Sequence, residues 1–210
     1  SEIISNAMSD IFRPFGNDIF KLYEDDKDFE DFNSVDFCLM LKEVKVNDLV
    51  QNLDGYEYIG SGRTDGATKG EYSPIFYRKA RIKCLESGQF WLSQTPEVAG
   101  SKGWDANIPR ICTWGRFEDK STKWKFWFFN LHMDHRGTVA RVESSKLIQA
   151  KIKEMCGDEP YILTGDFNTN QNEAAYTELV SSGKFKDTYT EAKVRMAETG
   201  TYNSFSTDCF

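Results

Sequence analysis

The residues that could do chemistry concentrate at the ends of three apolar runs. KFWFFNLHMDHRG (125–137) is an aromatic stretch that ends in His132, Asp134 and His135, the first and last of which are the chain's two histidines. YILTGDFNTN (161–170) ends in Asp166 and Asn168, and VDFCLMLKEV (35–44) ends at Glu43. Carboxylates suit a hard cation such as Mg2+, which takes one or two of them together with waters and substrate phosphate oxygens. A neutral amide can hold a phosphate oxygen without repelling it. An imidazole beside a scissile group can give a proton or a hydrogen bond to developing charge. Each group also has a plain structural reading: GDFN as a β-turn after a strand, either histidine as a satisfied structural group, Glu43 as a solvated charge. Their combination is what points to a site.

Such a site needs strands to carry it. In layered sheet proteins the ends of neighbouring strands converge, so the three run ends could share one cleft. The segments 35–44, 56–60, 74–93, 110–119 and 123–134 are rich in β-formers and separated by turn-prone residues. A short loop between the last two predicts an antiparallel hairpin. GSGRTDGATKGEY (60–72) is Gly-rich and polar and reads as a long loop. Over 138–155 the apolar period becomes helical, with Gly157 placed to cap the end. YILTGDF reads as a buried strand, followed by a helix from Asn172 to about Ser182. Meander strands followed by strand, helix and strand predict an α+β fold with mixed sheets layered against helices.

Composition narrows the function classes. The 210 residues are 40% hydrophobic and 14% aromatic, as in ordinary globular domains. A single domain over residues 1–210 is expected. Net charge is −7, with no basic stripe, so a general electrostatic grip on long nucleic acid is not expected. An anionic substrate remains compatible, because a bound cation can dominate the local field. Five scattered cysteines without a CxxC pair indicate neither a zinc site nor a disulfide framework. No apolar run is long enough for a membrane span, and no signal peptide is visible. Compartment and oligomeric state are not set by the sequence.

FNLHMDHRG followed, after a helix, by ILTGDFN resembles the endonuclease/exonuclease/phosphatase superfamily, particularly its bacterial members. LDGYEYIGSGRTDGATKGEYSPIFYRKAR, FWLSQTPE, SKGWDANIPRICTWGRF and GTYNSF extend the likeness from about Val35 to Phe205. The resemblance implies a four-layer α/β/β/α sandwich of two mixed β-sheets with outer helices. It also implies a metal-dependent hydrolase that cleaves phosphoester bonds by water attack, using Mg2+, with Mn2+ as an alternative. Glu43 would bind the metal, with Lys42 in place of the family's usual Gln. His132 would contact the scissile phosphate. Asp166 would orient or activate the attacking water, and Asn168 would contact phosphate. Arg63, Asp65 and Glu71 would border the substrate cleft. Asp134 and His135 would fix the strand end and tune His132. A small phosphoester is expected as substrate in preference to long nucleic acid.

Two family pieces are not found. Nothing near the start reads as a strand ending in a metal-binding Asn; Asn17 in SDIFRPFGND is the nearest. The closing Ser-Asp-His motif is absent, Asp208 being the nearest aspartate. The domain is therefore expected to be incomplete at both ends. A non-catalytic ligand-binding pseudoenzyme without the terminal Asp-His pair stands as the alternative function.

Overall fold

A computed structural model of the chain describes residues 37–38, 41–42, 46, 49–51 and 53–193. Residues 33–182 form one compact unit; residues 1–32 and 183–210 group separately. Within the second group the described structure is the short helix Thr188–Glu191, whose Asp187 side chain accepts from the Tyr189 amide.

The strands of the larger unit are β1 (Phe37–Cys38), β2 (Leu41–Lys42), β3 (Tyr56–Ile59), β4 (Glu71–Tyr72), β5 (Ile75–Arg78), β6 (Ile82–Trp91), β7 (Ile111–Asp119), β8 (Lys125–His132) and β9 (Tyr161–Asp166). Its helices are α1 (Thr138–Cys156) and α2 (Ala174–Ser181). The expected segment 74–93 is two strands, because Lys79-Ala80-Arg81 turns the chain between them. β1, β5 and β3 form an antiparallel sheet in that order, and β2 pairs with β4. β6, β7, β8 and β9 form a mixed sheet, with β7–β8 the expected hairpin and β9 parallel to β8.

Alternation along the strands decides what lies between the sheets. Ile75 and Tyr77 of β5 meet Ile82, Phe117, Phe126 and Phe128 of the four-stranded sheet, with Ile59 and Ile162 packed against them. Burying one such side chain stabilises the fold by about 1.5–3 kcal/mol. On the opposite face, Trp127 stacks with Phe129. Helix α1 buries Ala140, Ile148, Ile152 and Cys156, recurring at helical spacing, and packs against α2. These features give the α+β sandwich with outer helices that the sequence predicts. The strand expected to be buried, β9, is half-buried along most of its length. No helix among the described residues is long and apolar enough to cross a membrane.

The β8–β9 pairing matters most for function. It sets Leu131 opposite Gly165 and His132 opposite Asp166. Gly165 has φ +136, and a Cβ there would collide with the Leu131 carbonyl. Only glycine satisfies both conditions. Gly165→Ala should therefore cost about 2–4 kcal/mol of stability, from overpacking together with backbone strain. Urea unfolding of the variant checks this; a change within 0.5 kcal/mol, on the order of an ordinary surface substitution, would show that the strands can separate freely.

Candidate active site

β8 delivers His132 to the end of the sheet, on the face that looks toward the other sheet. Its Nε2 lies 3.7 Å from Asp166 Oδ2, and its Nδ1 lies 3.8 Å from Glu71 Oε2. The two carboxylates come from different sheets, so the histidine stands where the sheets meet at one end. Its side chain is 13% exposed, against 38% for Asp166. Past the end of β9, Asn168 turns with φ +46, a conformation Asn tolerates better than most residues. Its backbone N–H donates to Asp166 Oδ1 (2.8 Å) and its side-chain amide donates to the Met133 carbonyl (3.0 Å). Asp166, Asn168 and the end of β8 thus hold one another.

The Gly-rich segment 60–70 is a tightly folded loop. Arg63 meets Glu71 in a 2.6 Å ion pair whose angle is not that of a hydrogen bond, so the pair is a charge contact. The carbonyl of Arg63 accepts from the Trp91 indole N–H. Asp65 does not join the cluster. Its Oδ1 accepts from the amides of Ala67 and Lys69, so the carboxylate shapes the loop. Those amides are the first reason its pKa is lowered, and burial opposes them weakly.

Behind His132 lies a buried charge network. Asp134 is 2% exposed. Its carboxylate accepts from the amides of Asn107, Arg136 and Gly137 and from Arg110 Nε. Burial alone would raise its pKa; the three amides and the guanidinium outweigh burial and hold the carboxyl well below the usual carboxylate range. Arg110 also reaches His135 Nδ1 at 2.8 Å. Arg141 links the Asp134 carbonyl to Glu173 at the start of α2. Asp134 and His135 are thus both tied to Arg110 in the turn that follows His132. Arg110 and Arg141 went unnoticed in the sequence, since neither stands at the end of an apolar run.

His132 itself is neutral. Burial is the main reason, followed by the positive charges of Arg110 and Arg63, and together they push its pKa down to about 3. The Asp134 carboxylate favours a proton, but it is outweighed.

Helix α1 begins beside this network without a side-chain cap of its own. Asp105, from the β6–β7 connection, accepts from the amides of Ala140 (2.6 Å) and Val139 (3.3 Å). Gly137 makes room for it, since a Cβ there would press on Asp105.

Among the described residues no group of three His, Cys, Asp or Glu side chains could hold a metal ion. Glu43, the metal ligand expected from the sequence, lies outside the described residues. Lys42, the residue before it, pairs with Glu71 in the β2–β4 ladder. A cleft of about 730 Å3 opens elsewhere, between Trp114, Trp127 and the end of α1, and none of the site residues lines it.

The molecule is similar in fold and sequence to an endonuclease/exonuclease/phosphatase family protein from Bacteroides thetaiotaomicron. The two are 44% identical, with a TM-score of 0.80, over 98% of this chain and 73% of that one. The chain belongs to the endonuclease/exonuclease/phosphatase family. A mannosyl-6-phosphatase from Bacteroides thetaiotaomicron matches equally, with 44% identity and a TM-score of 0.80 over 98% of this chain and 75% of that one. An uncharacterized protein of Acanthamoeba polyphaga mimivirus is 30% identical over 126 residues, 58% of this chain and 46% of that protein. The chain therefore spans about half the length of this curated relative. No protein-family model matches the chain. Within the family fold, His132, Glu71 and Asp166 stand together at the end of the sandwich where β4, β8 and β9 meet.

The buried network gives a pH-dependent prediction. Asp134 has a lower pKa folded than unfolded, so its contribution is fully present above about pH 4 and is lost as pH falls below that. Asp134→Asn should destabilise the protein by about 3–5 kcal/mol at pH 7, because it strands a buried guanidinium. It should also flatten the acid limb of stability below pH 4. Thermal unfolding from pH 3 to 7 reads both effects; parallel wild-type and variant curves would refute the second.

Proposed function

We propose that this chain is a metal-dependent phosphoesterase whose substrate is a small phosphate ester, a sugar phosphate first among the candidates. The observation that carries this reading is the registered pair His132–Asp166, held with Asn168 at the mouth of the sandwich. The 44% identical mannosyl-6-phosphatase supports the sugar phosphate. The net charge of −7 favours a small ester over long nucleic acid.

In this reading Asp166 orients the attacking water through its half-exposed carboxylate and accepts the proton that the water loses. A bond forms between the water oxygen and phosphorus, and the bond from phosphorus to the leaving oxygen breaks. Asn168 keeps one amide N–H directed at Met133 and turns the other toward a phosphate oxygen. Neutral His132 donates a hydrogen bond to the phosphate as charge builds on it. Glu71 and Arg63 are the next layer: the carboxylate orients the imidazole, and the guanidinium fixes the carboxylate. Asp65 serves the loop that carries Arg63. Asp134 and His135 hold the strand end.

Glu43 would supply the protein carboxylate for Mg2+ or Mn2+. One carboxylate with waters and phosphate oxygens is a ligand set Mg2+ accepts, and the Lys42–Glu71 pairing brings the preceding residue to the site. When bound, the ion draws charge from the phosphate oxygens and makes phosphorus more open to attack.

Phosphate release from mannose 6-phosphate and from a small phosphodiester, with Mg2+ and then with EDTA, tests the reading. EDTA should abolish turnover. Asp166→Ala and His132→Ala should each lower kcat by about 10²–10⁴-fold with the circular dichroism spectrum unchanged. Wild-type turnover in either variant would remove the role assigned to that residue, and ligand binding without turnover in the parent protein would favour a pseudoenzyme.

A further inference from the structure

Arg110 is enclosed, at 3% exposure, and precedes β7; its carbonyl accepts from the Leu92 amide, while its guanidinium reaches the turn that follows β8. Nε donates to Asp134 Oδ2 (3.3 Å), and one terminal nitrogen meets His135 Nδ1 (2.8 Å). The other terminal nitrogen, Nη1, is buried and has no hydrogen-bond partner among the described residues. Keeping a cation enclosed with only part of its hydrogen bonding satisfied is costly, so a purely structural tie explains it poorly. The surroundings of His132 supply another reason. Glu71 on β4 and Asp166 on β9 stand on its two ring nitrogens, and Asp134 follows on its own turn. The positive groups that hold its pKa down are Arg110, then Arg63 from the 60–70 loop, then His135. Arg63 is already engaged with Glu71 at 2.6 Å. A histidine between two carboxylates without a further cation would be drawn into ion pairs with both.

We propose that Arg110 is a positioning residue for His132: its fork fixes the turn behind the catalytic strand, and its charge offsets the flanking carboxylates so that the imidazole stays neutral and free to contact substrate. The inference rests on the phosphoesterase reading only for the meaning of activity; the state of the histidine can be measured without it. With burial acting alongside Arg110 and Arg63, His132 should stay neutral well below the ordinary histidine range and take up its proton only at about pH 3.

The chain's two histidines make the test direct. Imidazole proton resonances of the full chain are followed by NMR from pH 8 to pH 4, with His132→Gln used to assign the signals. In the wild type the His132 signal should not move across this range. In Arg110→Met the His132 signal should titrate within this range, and the acid limb of kcat/KM should shift with it. In Arg110→Lys the His132 signal should stay unmoved across the range, as in the wild type, while kcat falls, because the charge remains and the fork is lost. A wild-type His132 that titrates near 6.5 overturns the proposal, as does a His132 signal that stays unmoved in folded Arg110→Met. If Arg110→Met does not fold, the wild-type and Arg110→Lys titrations still decide it: His132 titrating above pH 5 in either one refutes it. Absence of turnover in every protein would sink the phosphoesterase reading and leave the titration result standing.

Discussion

The site depends on how closely β9 can lie beside β8. Parallel pairing places residues at matching heights, and here it sets His132 level with Asp166. That level holds because residue 165 has no side chain: with a Cβ it would meet the Leu131 carbonyl. A slip by one residue would turn the carboxylate to the opposite face of the sheet. Asn168 then closes the arrangement from the far side, tying the end of β9 to the Met133 carbonyl. Chemistry, loop and strand register are one constraint seen from three sides.

Around that constraint the protein places charge with care. Three carboxylates, Asp134, Glu71 and Asp166, are balanced by two guanidiniums, Arg110 and Arg63, about a histidine that stays neutral. The negative groups lean on backbone amides as well as on cations, which lets Asp134 remain ionised where burial opposes it. Arg141 carries the same network outward to α2 through Glu173, so the strand end and the outer helices share one anchor. The sugar-phosphate reading draws on this geometry: a small anion approaching the open carboxylate of Asp166 meets a neutral ring and nearby guanidinium charge.

Much of this was legible in the sequence where the signal was local. Run ends located His132, Asp166 and Asn168, and the helical period located α1 to within a residue of its end. The hairpin β7–β8 followed from its short loop. The likeness of NLHMDHRG and GDFN to a known family agreed with what the whole chain shows. Long-range partners were not legible. Arg110 sits in a loop before one strand and acts on the turn after another. The family resemblance implied a cleft role for Asp65, and its carboxylate accepts from amides two and four residues on, a partnership that the resemblance did not suggest. The half-burial of β9 depends on what packs beside it, which alternation within a strand does not reveal. Glu43 lies outside the described residues, so the sequence remains the ground for its role.

The cap on α1 has a consequence for how the molecule assembles. A helix that starts without a side chain of its own to satisfy its first amides is weak in isolation. The group that completes it, Asp105, lies earlier in the chain, in the connection between β6 and β7. During synthesis that carboxylate leaves the ribosome before the helix does. The helix therefore meets a waiting partner as it emerges, and the turn that leads from His132 into the helix ends, at Gly137, against a segment made before it.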